Sequence, residues 1–243
     1  MKYDSLIIIP TYNEAANIEA VIKKIIDLED KNDILVVDDN SPDGTSEIVI
    51  DLKRIHDNRL FLLKREKKSG LGSAYKCGFK WALENNYSYI FEMDADMSHD
   101  PDEIKNLKFQ LIQKKYDVVV GSRYIEGVSV VNWPLSRIFL SYFANLYVRI
   151  ITCMPIKDAT SGFVGYTKNA LSSIELNNIK FNGYAFQIEM KFKLWKKNFK
   201  IKEHQIIFVN RKLGKSKMNQ SIIFEAIIGV IKLKINSFFK QNG

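Results

Sequence analysis

"YSYIFEMDADMSHD", residues 87–100, sets an apolar run directly against two acids one residue apart. "YSYIF" reads as a buried strand, and Asp94 and Asp96 follow where that strand leaves the core. Carboxylates are costly to desolvate, so acids in this place need a role. They could cap a helix, brace a turn or hold a divalent cation.

The flanking sequence gives that strand its setting. Upstream, "SLIII" from Ser5 is a strand-like run ended by Pro10, and Ile18, Val21, Ile22, Ile25 and Ile26 then fall at helical spacing. "ILVV" at 34–37 and "LFLL" at 60–63 read as further strands, each followed by a helix, "TSEIVIDLKRI" and "GSAYKCGFKWALE". Downstream, "DEIKNLKFQLIQKK" returns to helix and "DVVVG" at 117–121 closes the series. Strands apolar on both faces, alternating with helices, predict an α/β layer fold with a mainly parallel sheet. After Arg123 the alternation stops. A loop, an aromatic stretch, polar loops, a helix around "FQIEMKFKLWKK", a strand "QIIFV" and a basic turn follow. With no second alternating core and no internal repeat, residues 1–243 read as one domain with a soft boundary near residue 125.

Composition narrows the class. A chain 46% hydrophobic and 26% charged is that of a folded protein, and a net charge of +8 calls for anionic company. Cys77 and Cys153 are too few for a disulfide framework, and no Cys/His spacing suits zinc. "MKYDSLIIIP" is too short an apolar start for a signal peptide, which favours a reducing cytosol. "IFLSYFANLYVRIITCMPI", 138–156, is interrupted by Asn145 and Arg149, and "SIIFEAIIGVIKLKINSFFK", 221–240, by Glu225, Lys232 and Lys234. Neither is a clean spanning run of about 20 apolar residues; both suit helices that lie on a membrane or pack together.

In an open parallel sheet, ligands bind beyond the carboxyl ends of the strands. "PTYNE", "DDNSPDGT" and "DADMSHD" all stand at such ends. Capping by Asn13, Ser41, Asp43 and Asp100 accounts for each cluster singly, but not for the doubled Asp38 and Asp39 or for the Asp94-x-Asp96 pair. Magnesium typically takes one or two protein carboxylates together with substrate phosphates, and acids one residue apart can face the same side. No Walker-type phosphate loop is present, and "GLG" at 70–72 lacks the rest of a dinucleotide fingerprint. "REKKSGLGSAY" reads either as a basic, glycine-hinged loop at the site or as a solvated charge run.

In order, the chain carries "PTYNEAANI", "VVDDNSPDGT", "REKKSGLGSAYKCG", "MDADMSHDP", "GSRY", "NWPLSR", "DATSGF", "GYAFQIEM" and "FVNRKLGKSK". From about residue 4 to 235 it resembles the family 2 glycosyltransferases, and within them the dolichol- or polyprenol-phosphate mannosyltransferases. The resemblance implies a GT-A-type fold with C-terminal amphipathic helices, GDP-mannose as donor, a divalent metal (magnesium or manganese) and a polyprenyl or dolichyl phosphate acceptor. It implies a nucleotide-sugar half, 1–125, and an acceptor-binding, membrane-facing half, 126–243. By motif, Pro10, Tyr12, Glu14, Val37 and Asp39 would hold base and ribose, and Asp94, Ala95 and Asp96 would face the diphosphate. Asp94 and Asp96 would bind the metal, with Ser98 standing where some members use a glutamine for it. Arg123, Arg211 and Lys217 would neutralise phosphates, and Arg137 and Ser141 would meet the acceptor. The family usually has a basic and a small residue after that serine, where this chain has Tyr142 and Phe143.

Arg137, Ser141, Asn145 and Arg149 recur every four positions, a polar stripe on an otherwise apolar helix. Such a helix either packs on the core or lies at an interface with its arginine on a phosphate and its apolar sides in lipid. The expected location is therefore the cytoplasmic face of a membrane, peripherally, with room for an anchoring partner subunit or a homo-oligomer. Glucosyl or other glycosyl transfer to the same kind of lipid, and a protein- or polysaccharide-directed transferase of the same fold, are the alternatives. A nucleic acid partner is not expected, because the acids collect in the crevice and no recognition motif is legible.

Overall fold

Why a chain with so many two-faced apolar runs folds as it does is visible in its main sheet. The structure, a computed structural model, describes residues 3–56, 58–211 and 220–239, the side chains of residues 184, 220–226, 238 and 239 excepted. The strands are β1 (Ser5–Thr11), β2 (Asp33–Asp38), β3 (Leu60–Lys64), β4 (Tyr89–Glu92), β5 (Val118–Ser122), β6 (Val130–Val131), β7 (Val164–Thr167), β8 (Ile201–Gln205) and β9 (Phe208–Val209). The helices are α1 (Ile18–Asp27), α2 (Thr45–Ile55), α3 (Leu71–Glu84), α4 (Ile104–Ile112), α5 (Leu135–Thr152), α6 (Lys168–Ser172), α7 (Tyr184–Lys196) and α8 (Gln220–Phe239). Among the described residues one sheet has the order β3-β2-β1-β4-β7-β5-β8, and β6 pairs with β9 beside it.

The sheet is parallel except at β7, which runs antiparallel between β4 and β5. Sequence periodicity placed β4 and β5 in one unbroken series; the structure inserts a strand from the second half of the chain between them. β8 also begins earlier than the "QIIFV" reading and ends at Gln205, before Phe208 opens β9. It lies at the sheet edge, with every residue half-buried, so its sequence "IKEHQ" has no apolar signature.

Alternate residues feed two cores. Leu6 and Ile8 of β1, Leu35 and Val37 of β2 and Ile90 of β4 face α3 and α7 through Phe79, Phe186 and Met190. Ile7, Ile9, Ile34, Val36 and Phe91 face α1, α2 and α4. α3 lies so close to the sheet that a Cβ at Gly78 would come 2.6 Å from Ile8 Cγ2. Pro10 does not end β1, as expected from sequence, but pairs in register with Val37. Ile8 C=O accepts the Met93 N–H, and Pro10 faces the same side, just past the last β1–β4 pair; its missing N–H therefore costs no ladder bond.

The strand order fixes where a ligand can bind. β2 and β3 are added to one side of β1 and β4 to the other, so the topology switches between β1 and β4, which opens a crevice at their carboxyl ends. A third apolar cluster joins α5 (Val148), α7 (Ile188, Phe192) and α8 (Val230, Leu233). On α5 the polar stripe turns inward: Asn145 is buried and Ser141 half-buried, whereas Leu135, Phe139, Tyr142, Phe143 and Ile150 are exposed. Arg149 leaves that stripe for solvent. Among the described residues no helix is long and apolar enough to cross a membrane.

Candidate functional site

The first two loops lock together. Asp38, fully buried, accepts from Thr11 Oγ1 at 2.8 Å, Ser46 Oγ at 2.7 Å, and Ser41 through both N–H (2.9 Å) and Oγ (2.5 Å). Burial by itself would push this carboxyl up; those hydrogen bonds outweigh it and hold Asp38 below its ordinary value. Asp38 is thus an internal brace of its loop, which supplies the reason for the first of the two acids. Ser41 and Asn13 belong to the same brace, the Asn13 N–H donating to Ser41 Oγ at 3.0 Å, and neither caps a helix. Asp100 does cap, accepting from Asp102 N–H, whereas Gly44 holds the cap position of α2 and Asp43, just before it, accepts from Thr45 N–H and Ala15 N–H and so ties the two loops.

Asp39 has a different setting. It takes Arg65 Nη1 at 2.6 Å and the Ser69 N–H at 3.0 Å, which draws the "REKKSG" loop over the carboxyl ends of β1 and β2. That loop is part of the crevice, with Lys68 Nζ 4.1 Å from the centre of the Tyr12 ring. Gly70 sits at φ +92° where the loop enters α3. Val37 is buried beneath, and the buried Glu14 receives the Asn17 side-chain amide at 3.0 Å.

Beyond β4, Met97 adopts φ +61° and folds the acids back on themselves. Asp96 Oδ1 accepts the Ser98 N–H at 3.0 Å, while its Oδ2 pairs with Arg211 at 2.8 Å. Ala95 and Ser98 are buried, and the Ser98 carbonyl accepts the Val209 N–H, tying this turn to β9. Desolvation, and then the charge of Asp96, push Asp94 up to about 7. Two carboxylates one residue apart on this turn, Asp96 buried and the Asp94 side chain 35% exposed, could hold a hard divalent cation. Among the described residues no group of three His, Cys, Asp or Glu converges, so protein ligands would have to be completed by others, as is usual for magnesium.

His99, scattered in sequence, belongs here. Its ring stacks on Phe163 at 4.9 Å, and its Nδ1 accepts the Asp94 N–H at 3.3 Å, which places the ring proton on Nε2. Burial lowers its pKa to about 4, so it is neutral. Its position makes it a support for the acidic turn.

Arg123 follows β5 and is held by Asp158 through Nε at 2.7 Å and Nη2 at 2.6 Å, with a further bond from its own N–H at 3.0 Å. Burial opposes ionisation of Asp158, but the guanidinium more than offsets it and keeps the acid charged. Thr160 links Arg123 to Asn145 of α5. Arg137 Nη1 donates to Asn210 Oδ1 at 2.9 Å, and Ser141 Oγ accepts from Tyr124 OH at 2.7 Å. Asp158 and Trp133 had no local signal beyond their places in "DATSGF" and "NWPLSR". Lys217 lies outside the described residues.

Asp94, His99, Arg123, Arg137, Ser141 and Arg211 line one cavity of about 390 Å³, whereas Pro10, Tyr12, Glu14, Val37, Asp39, Ala95, Asp96 and Ser98 are not among its lining residues. Asp94, Arg123, Arg137 and Arg211 stand at its polar end, and Phe143, Tyr147, Ile227 and Val230 line its apolar end between α5 and α8. Gly162 forms part of the wall, and a Cβ there would meet Asp94 Oδ1 and Gln187 Nε2 at an ordinary 3.8 Å.

The chain is similar to known proteins over nearly its whole length. The chain is 40% identical over 227 residues to undecaprenyl-phosphate mannosyltransferase of Micrococcus luteus, covering 93% of this chain and 92% of that one. It is 40% identical over 226 residues to polyprenol monophosphomannose synthase of Mycolicibacterium smegmatis, covering 93% and 85%. It is 36% identical over 231 residues to dolichol-phosphate mannosyltransferase of Pyrococcus furiosus, covering 93% and 62%. Its fold is that of glucosyl-3-phosphoglycerate synthase from Mycobacterium tuberculosis, with a TM-score of 0.70 at 16% identity, over 94% of this chain and 79% of that one. The sequence profile described as glycosyl transferase family 2 matches residues 6–174, and the chain, with its GT-A-like sheet, belongs to that family of glycosyltransferases.

Proposed function

We propose that the chain transfers mannose from GDP-mannose to a polyprenyl phosphate, with a divalent metal and with inversion, giving polyprenyl β-D-mannosyl phosphate. The observation that carries this reading is the cavity, which leads from Asp94 past three guanidiniums, one of them paired with Asp96, into an apolar space between two helices. That sequence of surfaces matches a diphosphate donor, a phosphate nucleophile and a hydrocarbon chain in turn. The names of the relatives from M. luteus, M. smegmatis and P. furiosus point to the same acceptor class and sugar.

In this reading Pro10, Tyr12, Glu14, Val37 and Asp39 hold base and ribose, and Ala95 faces the diphosphate. Asp94 and Asp96, with Ser98 beside them, hold the metal, which when bound would supply positive charge to the leaving diphosphate. Arg211, which pairs with Asp96, and Lys217 would neutralise phosphate charge. Arg123, Arg137 and Ser141 receive the acceptor headgroup. A phosphate monoester has a second pKa near 6, so the nucleophile is already largely ionised at neutral pH and needs no general base. The residues' work is to hold its oxygen in line with the anomeric carbon. A single displacement from an α-linked donor gives the β product.

The outward faces of α5 and α8, with Phe139, Tyr142, Phe143, Ile228 and Ile231 exposed, would lie on the cytoplasmic leaflet. Residues 1–125 then serve chiefly the donor and 126–243 chiefly the acceptor and membrane, with Arg123, Arg211 and Lys217 reaching across that division. An assay offering GDP-mannose, UDP-glucose and UDP-N-acetylglucosamine with polyprenyl phosphate, with and without chelator, tests the reading. Preference for a uridine donor, or indifference to chelator, would overturn it.

A further inference from the structure

Trp133, just ahead of α5, occupies a position that packing alone does not explain. Arg137 Cζ lies 3.9 Å from the centre of its ring and Arg123 Cζ 5.5 Å, while Phe208 meets it edge-on at 5.2 Å. All four residues line the polar end of the cavity. The indole N–H is closed off from solvent and, among the described residues, meets no acceptor. A buried donor left unpaired is costly, and a phenylalanine would fill much of the space without it. An indole nitrogen is a donor only, so an acceptor must come to it.

We infer that Trp133 is an acceptor-positioning residue: its ring fixes the Arg137 guanidinium beside Arg123, and its N–H is kept for an oxygen of the bound phosphate monoester. The inference rests on the cavity's being the acceptor site. The chemistry suits the task. A guanidinium on an indole face is held by cation–π attraction, which leaves its edge available for hydrogen bonding. Asn210 takes one Nη1 hydrogen of Arg137 and so fixes the guanidinium's rotation about the stack. A neutral donor between two cations adds direction without adding charge, which would favour a headgroup oxygen in one place rather than anywhere near the arginines.

The test uses the full chain with Trp133→Phe, which keeps a ring and removes the N–H, and Trp133→Leu, which removes both. Kinetics are measured with polyprenyl phosphate varied at saturating GDP-mannose, and GDP binding is followed by calorimetry. Trp133→Phe is expected to raise the KM for polyprenyl phosphate about tenfold, the loss of one hydrogen bond to a charged group, with kcat within about twofold. Trp133→Leu is expected to raise it about tenfold further. Both should bind GDP as the native protein does. An unchanged KM in Trp133→Phe overturns the inference, as does a fall in GDP affinity that keeps step with the acceptor effect, since that marks a merely structural role. If Trp133→Leu does not fold, Trp133→Phe decides the matter. A native protein that transfers no mannose to polyprenyl phosphate overturns the proposed function, and this inference with it.

Discussion

Replacing Asp38 with alanine removes the brace that joins the first two loops. The carboxylate accepts four hydrogen bonds, from Thr11, Ser46 and twice from Ser41, in a place without solvent. At about 1 kcal/mol net for each bond the loss is about 4 kcal/mol. In a chain of this size each kcal/mol moves Tm by about 2–4 °C, so Asp38→Ala should melt about 10 °C lower. The pH dependence adds a second handle. Asp38 is held below its ordinary value in the folded protein, so its contribution is fully present above pH ~4, its unfolded value, and is lost as pH falls through the folded value. Melting of native and variant protein by circular dichroism between pH 7 and pH 3 should show a gap that narrows in acid. A shift below about 2 °C at pH 7, or a gap that does not narrow in acid, would refute the bracing argument.

The remaining predictions concern ligands. Asp96→Asn should abolish most metal-dependent transfer while leaving Tm within a few degrees, because an amide is a poorer ligand for a hard cation; near-native turnover in that variant would return the acid to a structural role. Asp39→Asn keeps an acceptor for Ser69 N–H but loses the ion pair with Arg65, and should weaken GDP binding about tenfold or more by calorimetry. Phe139→Ser with Phe143→Ser should reduce binding to anionic vesicles about a hundredfold at high salt, at about 1.5 kcal/mol per half-exposed ring, while GDP affinity stays native. Equal vesicle binding by native and variant protein would argue against α5 as the docking face.

Much of this could be read from residues, and the failures have physical causes. β1, β2 and β4 were legible because central strands buried on both faces leave unbroken apolar runs. β7 and β8 were not: "VGYT" is four residues with a glycine, and "IKEHQ" is a half-exposed edge. The stripe on α5 was visible at its spacing of four, but its direction depends on Thr160, a contact 15 residues beyond Asn145. Asp38 and Asp39 looked alike in sequence. They diverge because one turns into the loop's own hydroxyls and the other out to Arg65, 26 residues on. The Asp158 counterion of Arg123 is 35 residues away, a pairing that no local pattern encodes.

The central claim is that the lipid phosphate attacks the sugar in the cavity lined by Asp94 and the three guanidiniums. Incubation with GDP-mannose labelled in the sugar and polyprenyl phosphate in micelles, followed by organic extraction and NMR of the anomeric centre, tests it most directly. The account predicts label in the lipid phase that requires magnesium or manganese, is lost in Arg137→Ala although GDP binding persists, and carries the β configuration. An α-linked product, or lipid labelling undiminished by chelator and by Arg137→Ala, would contradict it.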